Sequence, residues 1–98
     1  MTEFNISQIN DLIHSRLRLG IMAYLSTAGS ADFGVLKREL EATDGNLSVQ
    51  ITKLEAAGYL KIEKSFKGKK PNTKVILTEN GKQAFIEYID SLKSLINR

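Results

Sequence analysis

The chain has no cysteine and a single histidine, His14, and these two scarcities exclude most metal and redox chemistry. Without thiols it can form no disulfide, no iron–sulfur cluster, no thiolate zinc site and no thiol redox sensor. A metal site would have to consist mostly of carboxylates, and no EF-hand-like spacing of aspartates is present. We therefore expect neither a bound metal nor a cofactor.

Long apolar runs are missing as well. No stretch approaches the ~20 apolar residues that a membrane-spanning helix requires. The first 13 residues carry two acids and no lysine or arginine, which is the wrong charge for an export signal. We expect a cytoplasmic protein with no membrane partner.

Catalytic signatures are also absent from the sequence. It contains no nucleophile elbow, P-loop, GxGxxG motif or paired-carboxylate arrangement. His14, between Ile13 and Ser15, is best explained as a surface or interface side chain. We do not expect an enzyme.

What the chain does have is the size of one small domain and an uneven distribution of charge. Its 98 residues are 42% hydrophobic, which suffices for one core and is too apolar for disorder. The net charge is only +3, but the segment from Lys61 to Lys74 holds six lysines and one acid, Glu63. That segment carries +5 and the remainder −2, and such a basic patch is typical of a protein with a polyanion partner.

The apolar spacing predicts helices in the N-terminal half. Residues 5–26 are expected to form one bent helix or two short helices, the second over about residues 15–26. Residues 26–31 are small and predict a loop, and Asp32 is a good N-cap for the next helix. The residues of that helix that are expected to point inward are Phe33, Leu36 and Leu40.

A turn cluster over residues 42–46 separates this helix from a third one, at about residues 46–57. Leu47, Ile51 and Leu54 are four and three residues apart, so they share one face of the third helix. Two helices joined by a tight turn that contains glycine are typical of a helix-turn-helix.

The C-terminal half predicts a hairpin and a last helix. Gly58 lies where a helix end favours positive φ. Alternation then predicts two strands, residues 60–66 and 73–77, joined by a lysine-rich loop that contains the only proline, Pro71. Thr78 is expected to cap a helix that runs nearly to the end of the chain.

The polar face of the third helix suits the major groove of DNA. Opposite the apolar stripe it carries Val49, Thr52, Lys53 and Ala56, flanked by Asn46, Ser48 and Gln50. Asn and Gln side chains can pair with adenine, Ser and Thr with several base edges, and a valine can meet a thymine methyl group. An ordinary solvated helix face is the alternative interpretation.

The lysine-rich hairpin favours the nucleic-acid interpretation. Lys67, Lys69 and Lys70 are expected to project at its tip, where like charges repel one another. A phosphate backbone would offset that repulsion. The alternative is an edge hairpin that lysine keeps soluble.

The order helix, helix, turn, helix, strand, basic loop, strand, helix resembles that of winged helix-turn-helix transcriptional regulators of the MarR/ArsR-like kind. The resemblance extends from about residue 12 to 96. Its motifs are Leu-Glu-x-x-Gly-Tyr-Leu at residues 54–60 and Leu-Thr-x-x-Gly at 77–81, together with residues 16–21, 33–37 and 45–48.

The resemblance implies a mainly α (α+β) fold with a two-stranded β wing and N- and C-terminal dimerisation helices. A single winged-helix DNA-binding domain would span residues 1–98. Its helix-turn-helix would occupy about residues 32–58, its wing about 60–77 and its C-terminal dimerisation helix about 79–97.

In that family the third helix reads the major groove, and the wing contacts the adjacent minor groove or its phosphates. The recognition positions implied for this chain are Asn46, Ser48, Val49, Gln50, Thr52 and Lys53. The implied wing and backbone contacts are Lys64, Lys67, Lys69, Lys70 and Lys74, with Lys37 and Arg38 on the preceding helix. Val49 departs from the family pattern, in which a polar or basic side chain is more usual.

Apolar stripes near both ends predict a homodimer, since two terminal helices are more than a three-helix core of this size requires. The expected interface residues are Phe4, Ile9, Leu12, Ile13, Phe85, Tyr88, Ile89, Leu92 and Ile96. The alternative is that both stripes cover the domain's own core.

The expected function is therefore that of a transcriptional regulator that binds double-stranded DNA sequence-specifically as a homodimer. The rival is a winged-helix module for protein–protein or RNA binding without operator recognition. The chain lacks the cysteine and histidine clusters with which ArsR-like proteins often sense metals. No residue identifies a small-molecule effector.

Overall fold

The structure, a computed structural model, describes residues 4–97. Within that range the chain forms one short 3₁₀ helix, four α-helices and a three-stranded antiparallel sheet with the strand order β1-β3-β2. The 3₁₀ helix is Ile6–Gln8, and the other elements are α1 (Arg16–Ala28), β1 (Ser30–Asp32), α2 (Phe33–Glu39), α3 (Asp44–Ala56), β2 (Leu60–Lys67), β3 (Lys70–Leu77) and α4 (Glu79–Ile96).

The N-terminal region differs from the sequence expectation in two respects. The first of the two predicted helices is only a 3₁₀ turn, so the described residues contain no N-terminal dimerisation helix. Ser30 and Ala31, predicted to be loop, and Asp32, predicted to be an N-cap, form β1, in which Ser30 lies opposite Ile76 and Asp32 opposite Lys74. A three-residue strand is too short to show alternation, so its pairing is determined by β3 rather than by its own sequence.

One hydrophobic core holds the helices against the sheet. As predicted, Leu47, Ile51 and Leu54 share the buried face of α3, and Leu36 of α2 is fully buried. The core residues are Ile9, Ile13, Ile21, Met22, Leu25, Leu36, Leu47, Ile51, Leu54, Leu60, Val75, Ala84 and Tyr88. Burying each large aliphatic side chain contributes about 1.5–3 kcal/mol.

The helix-turn-helix forms as expected, but its four-residue turn, residues 40–43, lies earlier in the chain than predicted, and Gly45 is inside α3 instead of in the turn. Helix α3 begins at Asp44, two residues earlier than predicted, because the hydroxyl of Thr43 accepts a hydrogen bond from the Asn46 N–H at 3.2 Å. Gly58 ends the helix with φ at 83°, as the sequence predicted.

The hairpin of β2 and β3 is longer than predicted, and only Gly68 and Lys69 connect its strands. Gly68 has φ at 65°, the value that the first central residue of a type II′ turn requires. Pro71 therefore lies in β3, opposite Phe66, and not in the loop. It is tolerated there because β1 pairs only with residues 74–76 and leaves the other edge of β3 without a strand at Pro71.

Helix α4 is anchored at its first turn. The Thr78 hydroxyl accepts a hydrogen bond from the Gly81 N–H at 2.9 Å, as expected of a cap, and donates one to the Gly58 carbonyl at 2.6 Å. A Cβ on Gly81 would lie 2.2 Å from the Tyr59 carbonyl oxygen, so α4 approaches that backbone as closely as only glycine allows.

Three residues expected at a dimer interface belong instead to the core of the single chain. Ile9, Ile13 and Tyr88 are buried within it, and the Tyr88 hydroxyl lies 2.7 Å from Nδ1 of His14. Burial raises the pKa of the Tyr88 phenol. For these three side chains the structure favours the alternative that they cover the domain's own core, because α4 folds back over the N-terminal segment. Leu12, Phe85, Ile89 and Leu92 are half-buried at the margin of the core.

None of the helices described between residues 4 and 97 is long and apolar enough to cross a membrane.

Candidate nucleic-acid interface

Helix α3 and the hairpin form the two walls of an open cleft of about 690 Å³. The helix contributes Ser48 and Thr52 to the lining, and the hairpin contributes Ile62, Lys64 and Thr73. Two carboxylates, Asp44 and Glu55, also line the cleft. The predicted recognition helix and the predicted wing therefore face a common space.

The outer face of α3 presents most of the predicted recognition residues to solvent. Ser48, Thr52 and Lys53 are exposed, and Val49 retains 51% of its accessible surface. The Thr52 hydroxyl donates to the Ser48 carbonyl at 2.9 Å, which leaves its oxygen able to accept. This face combines one apolar, two hydroxyl and one cationic side chain, all of which can contact base edges.

Gln50 is placed differently from the rest of this set. Its Oε1 accepts a hydrogen bond from the Arg18 guanidinium, and its Nε2 donates to Asn46 Oδ1 at 3.1 Å. Arg18 also donates to the Leu12 carbonyl. Gln50 and Asn46 are thus held in a network that links α3 to α1, and both polar atoms of the Gln50 amide are engaged within the protein.

Arg18 is a residue to which the sequence assigned no role. It is 32 residues from Gln50 in the chain, so no local pattern indicates their contact. Its position in the first turn of α1 is compatible with any surface arginine. Only the packing of α1 against α3 brings the two side chains together.

The predicted backbone contacts on α2 lie at the turn before α3. The Lys37 ammonium lies 3.0 Å from Asp44 Oδ1 and is 44% exposed, while Arg38 is exposed. Asp44 is in the first turn of α3, where a negative charge is favourable for the helix dipole. Lys37 thereby joins the end of α2 to the start of α3.

The two faces of the hairpin divide the wing lysines. Residues opposite each other on β2 and β3 point to the same side, and successive residues alternate. Lys64 lies on the face that lines the cleft with α3, and Lys69 is in the turn. Lys67, Lys70 and Lys74 lie on the other face, and all five lysines are exposed.

Asp32 contacts the wing and does not cap α2. It occupies the N-cap position of that helix, but its side chain makes no capping hydrogen bond. Its Oδ2 lies 2.7 Å from the Lys67 ammonium, and its Oδ1 accepts from the Asn72 amide at 3.3 Å. These hydrogen bonds hold the pKa of the Asp32 carboxyl below its ordinary value, and the one from Lys67 has the larger effect.

Comparison with known proteins agrees with this geometry. A family model described as a winged helix DNA-binding domain matches residues 17–96. An uncharacterized protein of Methanocaldococcus jannaschii is 33% identical over 84 residues, which cover 86% of this chain and 91% of that protein.

Solved structures show the same fold. The transcriptional regulator homologue protein from Pyrococcus horikoshii OT3 matches with a TM-score of 0.83 and 32% identity over 88% of this chain and 85% of its own. A MarR-like transcriptional regulator from Thermotoga maritima matches with a TM-score of 0.62 and 23% identity, covering 98% of this chain and 65% of its own. The resemblance stated from the sequence is confirmed, and the chain belongs to the winged-helix DNA-binding domain family of transcriptional regulators.

Proposed function

We propose that this protein is a transcriptional regulator that binds specific double-stranded DNA as a homodimer. Helix α3 enters the major groove, and the wing contacts the adjacent backbone or minor groove. The observation that carries this proposal is the common cleft between the exposed face of α3 and a hairpin with five exposed lysines. A basic surface beside a helix with a short-side-chain face is what a DNA groove and its flanking phosphates require.

Within α3 the residues divide by role. Ser48, Val49, Thr52 and Lys53 are the ones that meet base edges, since they are exposed on the outer face. Asn46 and Gln50 stay in the proposed interface at its margin. There the hydrogen bond from Arg18 orients Gln50 and limits which base it can pair with.

The wing and α2 supply the contacts that do not depend on sequence. On the wing, Lys64 lies on the face that lines the cleft, Lys69 lies in the turn and Lys70 begins β3. The remaining members of the proposed backbone set are Lys37, Arg38, Lys67 and Lys74. Each phosphate that a lysine neutralises releases counterions, so these contacts make binding strongly salt-dependent.

The first test is a fluorescence-anisotropy titration of the protein with its own upstream DNA and with a scrambled duplex, over a series of salt concentrations. A dimer that contacts about six phosphates should give a log–log salt slope near −5. Tighter binding to the upstream DNA supports a sequence-reading regulator. Equal binding to both duplexes would contradict sequence recognition, and no binding at any salt would favour the protein–protein or RNA module.

Variants separate the two kinds of contact. Lys69→Ala with Lys70→Ala should weaken binding to both duplexes and flatten the salt slope, whereas Lys53→Ala should also change the sequence preference. Lys82→Ala on α4 is the matched control, because it removes an exposed lysine from an element outside the cleft. If the wing variant behaves like this control, the wing assignment is wrong.

The proposed dimer surface follows α4 and the N-terminal segment. Its members, after the three core residues are set aside, are Phe4, Leu12, Phe85, Ile89, Leu92 and Ile96. Ile96 is 78% exposed, and α4 is 18 residues long, so its last turns can pack against a second copy. Two-fold pairing would set two copies of α3 at the spacing of successive major grooves, about 34 Å.

Sedimentation velocity tests the dimer. Ile96→Asp should shift the protein toward monomer and weaken operator binding without a change in helix content, because this side chain lies outside the core. Ile86→Asp, at a 48% exposed position of the same helix outside the proposed surface, is the control. A monomeric wild-type protein, or a dimer unaffected by Ile96→Asp and by Leu92→Asp, would contradict the proposal.

A further inference from the structure

The hairpin face that turns toward α3 changes character along its length. Near the body it carries Leu60, Ile62 and Val75, which pack in or against the core. One step further out Lys64 lies opposite Thr73 at the cleft. At the outer end of the same face Phe66 lies directly opposite Pro71.

This outer pair is apolar and uncovered. Phe66 keeps 73% of its accessible surface, and Pro71 is exposed as well. Neither residue belongs to the hydrophobic core or to the side chains packed around it. The aromatic ring therefore contributes little to the stability of the fold, and a partner that covered it would gain the free energy of burying its apolar surface.

Exposed lysines lie near the pair, one on the same face of the hairpin and the others in the turn or on the opposite face. Lys64 lies on the same face two residues away, Lys67 and Lys70 are the next opposed pair toward the turn, and Lys69 is in the turn itself. The positive charge at this end of the hairpin repels a second wing of the same kind. It is complementary to a polyanion with an apolar interior, and the minor groove of duplex DNA is such a partner, with phosphates along both edges and sugars and stacked bases within.

The cleft between α3 and the hairpin determines how the wing is placed relative to the two grooves of the DNA. In the proposed complex the sugar–phosphate strand between the two grooves lies between α3 and the wing, beside Ser48, Thr52, Lys64 and Thr73. Two carboxylates, Asp44 and Glu55, line the same cleft, and the five exposed lysines of the wing outweigh their charge. With α3 on the major-groove side of that strand, the outer end of the hairpin reaches its minor-groove side. Phe66 and Pro71 then face the floor of the minor groove.

We propose that Phe66 and Pro71 form an apolar wedge that enters the minor groove of duplex DNA and opens a base step, while the neighbouring lysines hold the phosphates on either side. Phenylalanine and proline are among the side chains that minor-groove proteins insert in this way. This inference rests on the proposed DNA-binding function and adds to it that the tip of the wing acts through an apolar contact as well as through charge.

The first experiment compares Phe66→Ala, Phe66→Leu and the wild-type protein in anisotropy titrations with duplex DNA over a series of salt concentrations. Phe66→Ala should weaken binding about tenfold per wing, the loss expected for one aromatic contact with a base. The salt slope should stay unchanged, because no charge is removed. Phe66→Leu should retain most of the affinity, and Ser65→Ala, on the opposite face of the same strand, should bind like wild type.

The second experiment places 2-aminopurine at successive positions of the duplex. Wild-type protein should raise its fluorescence at the step that the wedge opens, and Phe66→Ala should abolish the rise. Circular dichroism checks that Phe66→Ala keeps the fold, which its exposure allows.

Three results would overturn the wedge and leave DNA binding intact. The first is that Phe66→Ala binds with wild-type affinity while Lys69→Ala binds more weakly, and the second is that Phe66→Lys binds more tightly than wild type. The third is that wild-type protein raises the 2-aminopurine fluorescence at no position. Failure of wild-type protein to bind any duplex would instead refute the proposed function itself. The two failures are therefore distinguishable.

Discussion

The ammonium group of Lys67 lies 2.7 Å from the carboxylate of Asp32 and so ties the outer end of β2 to the junction of β1 and α2. The contact passes over β3, because β3 is the middle strand of the sheet, and Asn72 of β3 donates to the same carboxylate. Asp32 thus fixes one face of the wing to the body and neutralises one of its lysines. DNA that binds Lys67 has to compete with Asp32.

We expect Asp32→Asn to strengthen DNA binding at low salt. The substitution leaves Lys67 without its carboxylate partner, so the slope of log affinity against log salt should steepen by about 0.9 per wing for one added phosphate contact. Anisotropy titrations measure both quantities. Asp90→Asn, on α4, changes the net charge equally and controls for it. Weaker binding by Asp32→Asn would mean that orientation of the wing by Asp32 matters more than the charge it masks.

The pKa of Asp32, lowered chiefly by the hydrogen bond from Lys67, predicts a dependence of stability on pH. Folding lowers this pKa, so the ionised Asp32 carboxylate stabilises the folded protein. Its contribution to the free energy of unfolding is present above the unfolded-state pKa of about 3.9 and is lost as the pH falls through the folded-state pKa. Thermal unfolding of wild type and Asp32→Asn should therefore differ slightly near pH 6 and converge in acid below that pKa. A difference that stays constant with pH would contradict the assignment.

Gly81→Ala should destabilise the protein by about 1–3 kcal/mol, the usual cost of forcing an added methyl group into a packed site. The added Cβ would lie 2.2 Å from the Tyr59 carbonyl oxygen and 2.7 Å from a Leu77 methyl group, so α4 or the loop before β2 must shift. Chemical denaturation gives the change in the free energy of unfolding. Gly34→Ala in α2 is the control, because nothing lies within 4 Å of its added Cβ. Equal stability of the two variants would refute the close approach.

Arg18→Ala should cost about 1–2 kcal/mol, because it removes the donor to both the Leu12 carbonyl and the Gln50 amide oxygen. A double-mutant cycle with Gln50→Ala should show a coupling energy of at least about 0.5 kcal/mol. Arg16→Ala, at an exposed position of the same helix, should be nearly neutral. Strict additivity of Arg18→Ala and Gln50→Ala would mean that the hydrogen bond contributes nothing to stability.

Much of the fold could be read from local patterns. The buried stripe of Leu47, Ile51 and Leu54, the positive φ of Gly58 and the cap at Thr78 each depend on residues within one or two turns, so their physical signals lie in the sequence itself. The alternating, lysine-rich segment likewise predicted the wing. The order of these elements was enough to indicate the family that the comparisons confirm.

Long-range packing settled the rest. Asp32 had the residue type and position of a cap, yet Lys67, 35 residues away, holds its carboxylate. The apolar residues Ile9, Ile13 and Tyr88 were equally suited to a dimer surface and to a core, and the return of α4 over the N-terminal segment buried them. Residues 30–32 form the strand β1 because they pair with the edge of β3. Local sequence determines which elements can form, whereas contacts between distant segments determine which side chains remain exposed for DNA or a partner, because burial is a property of the assembled chain.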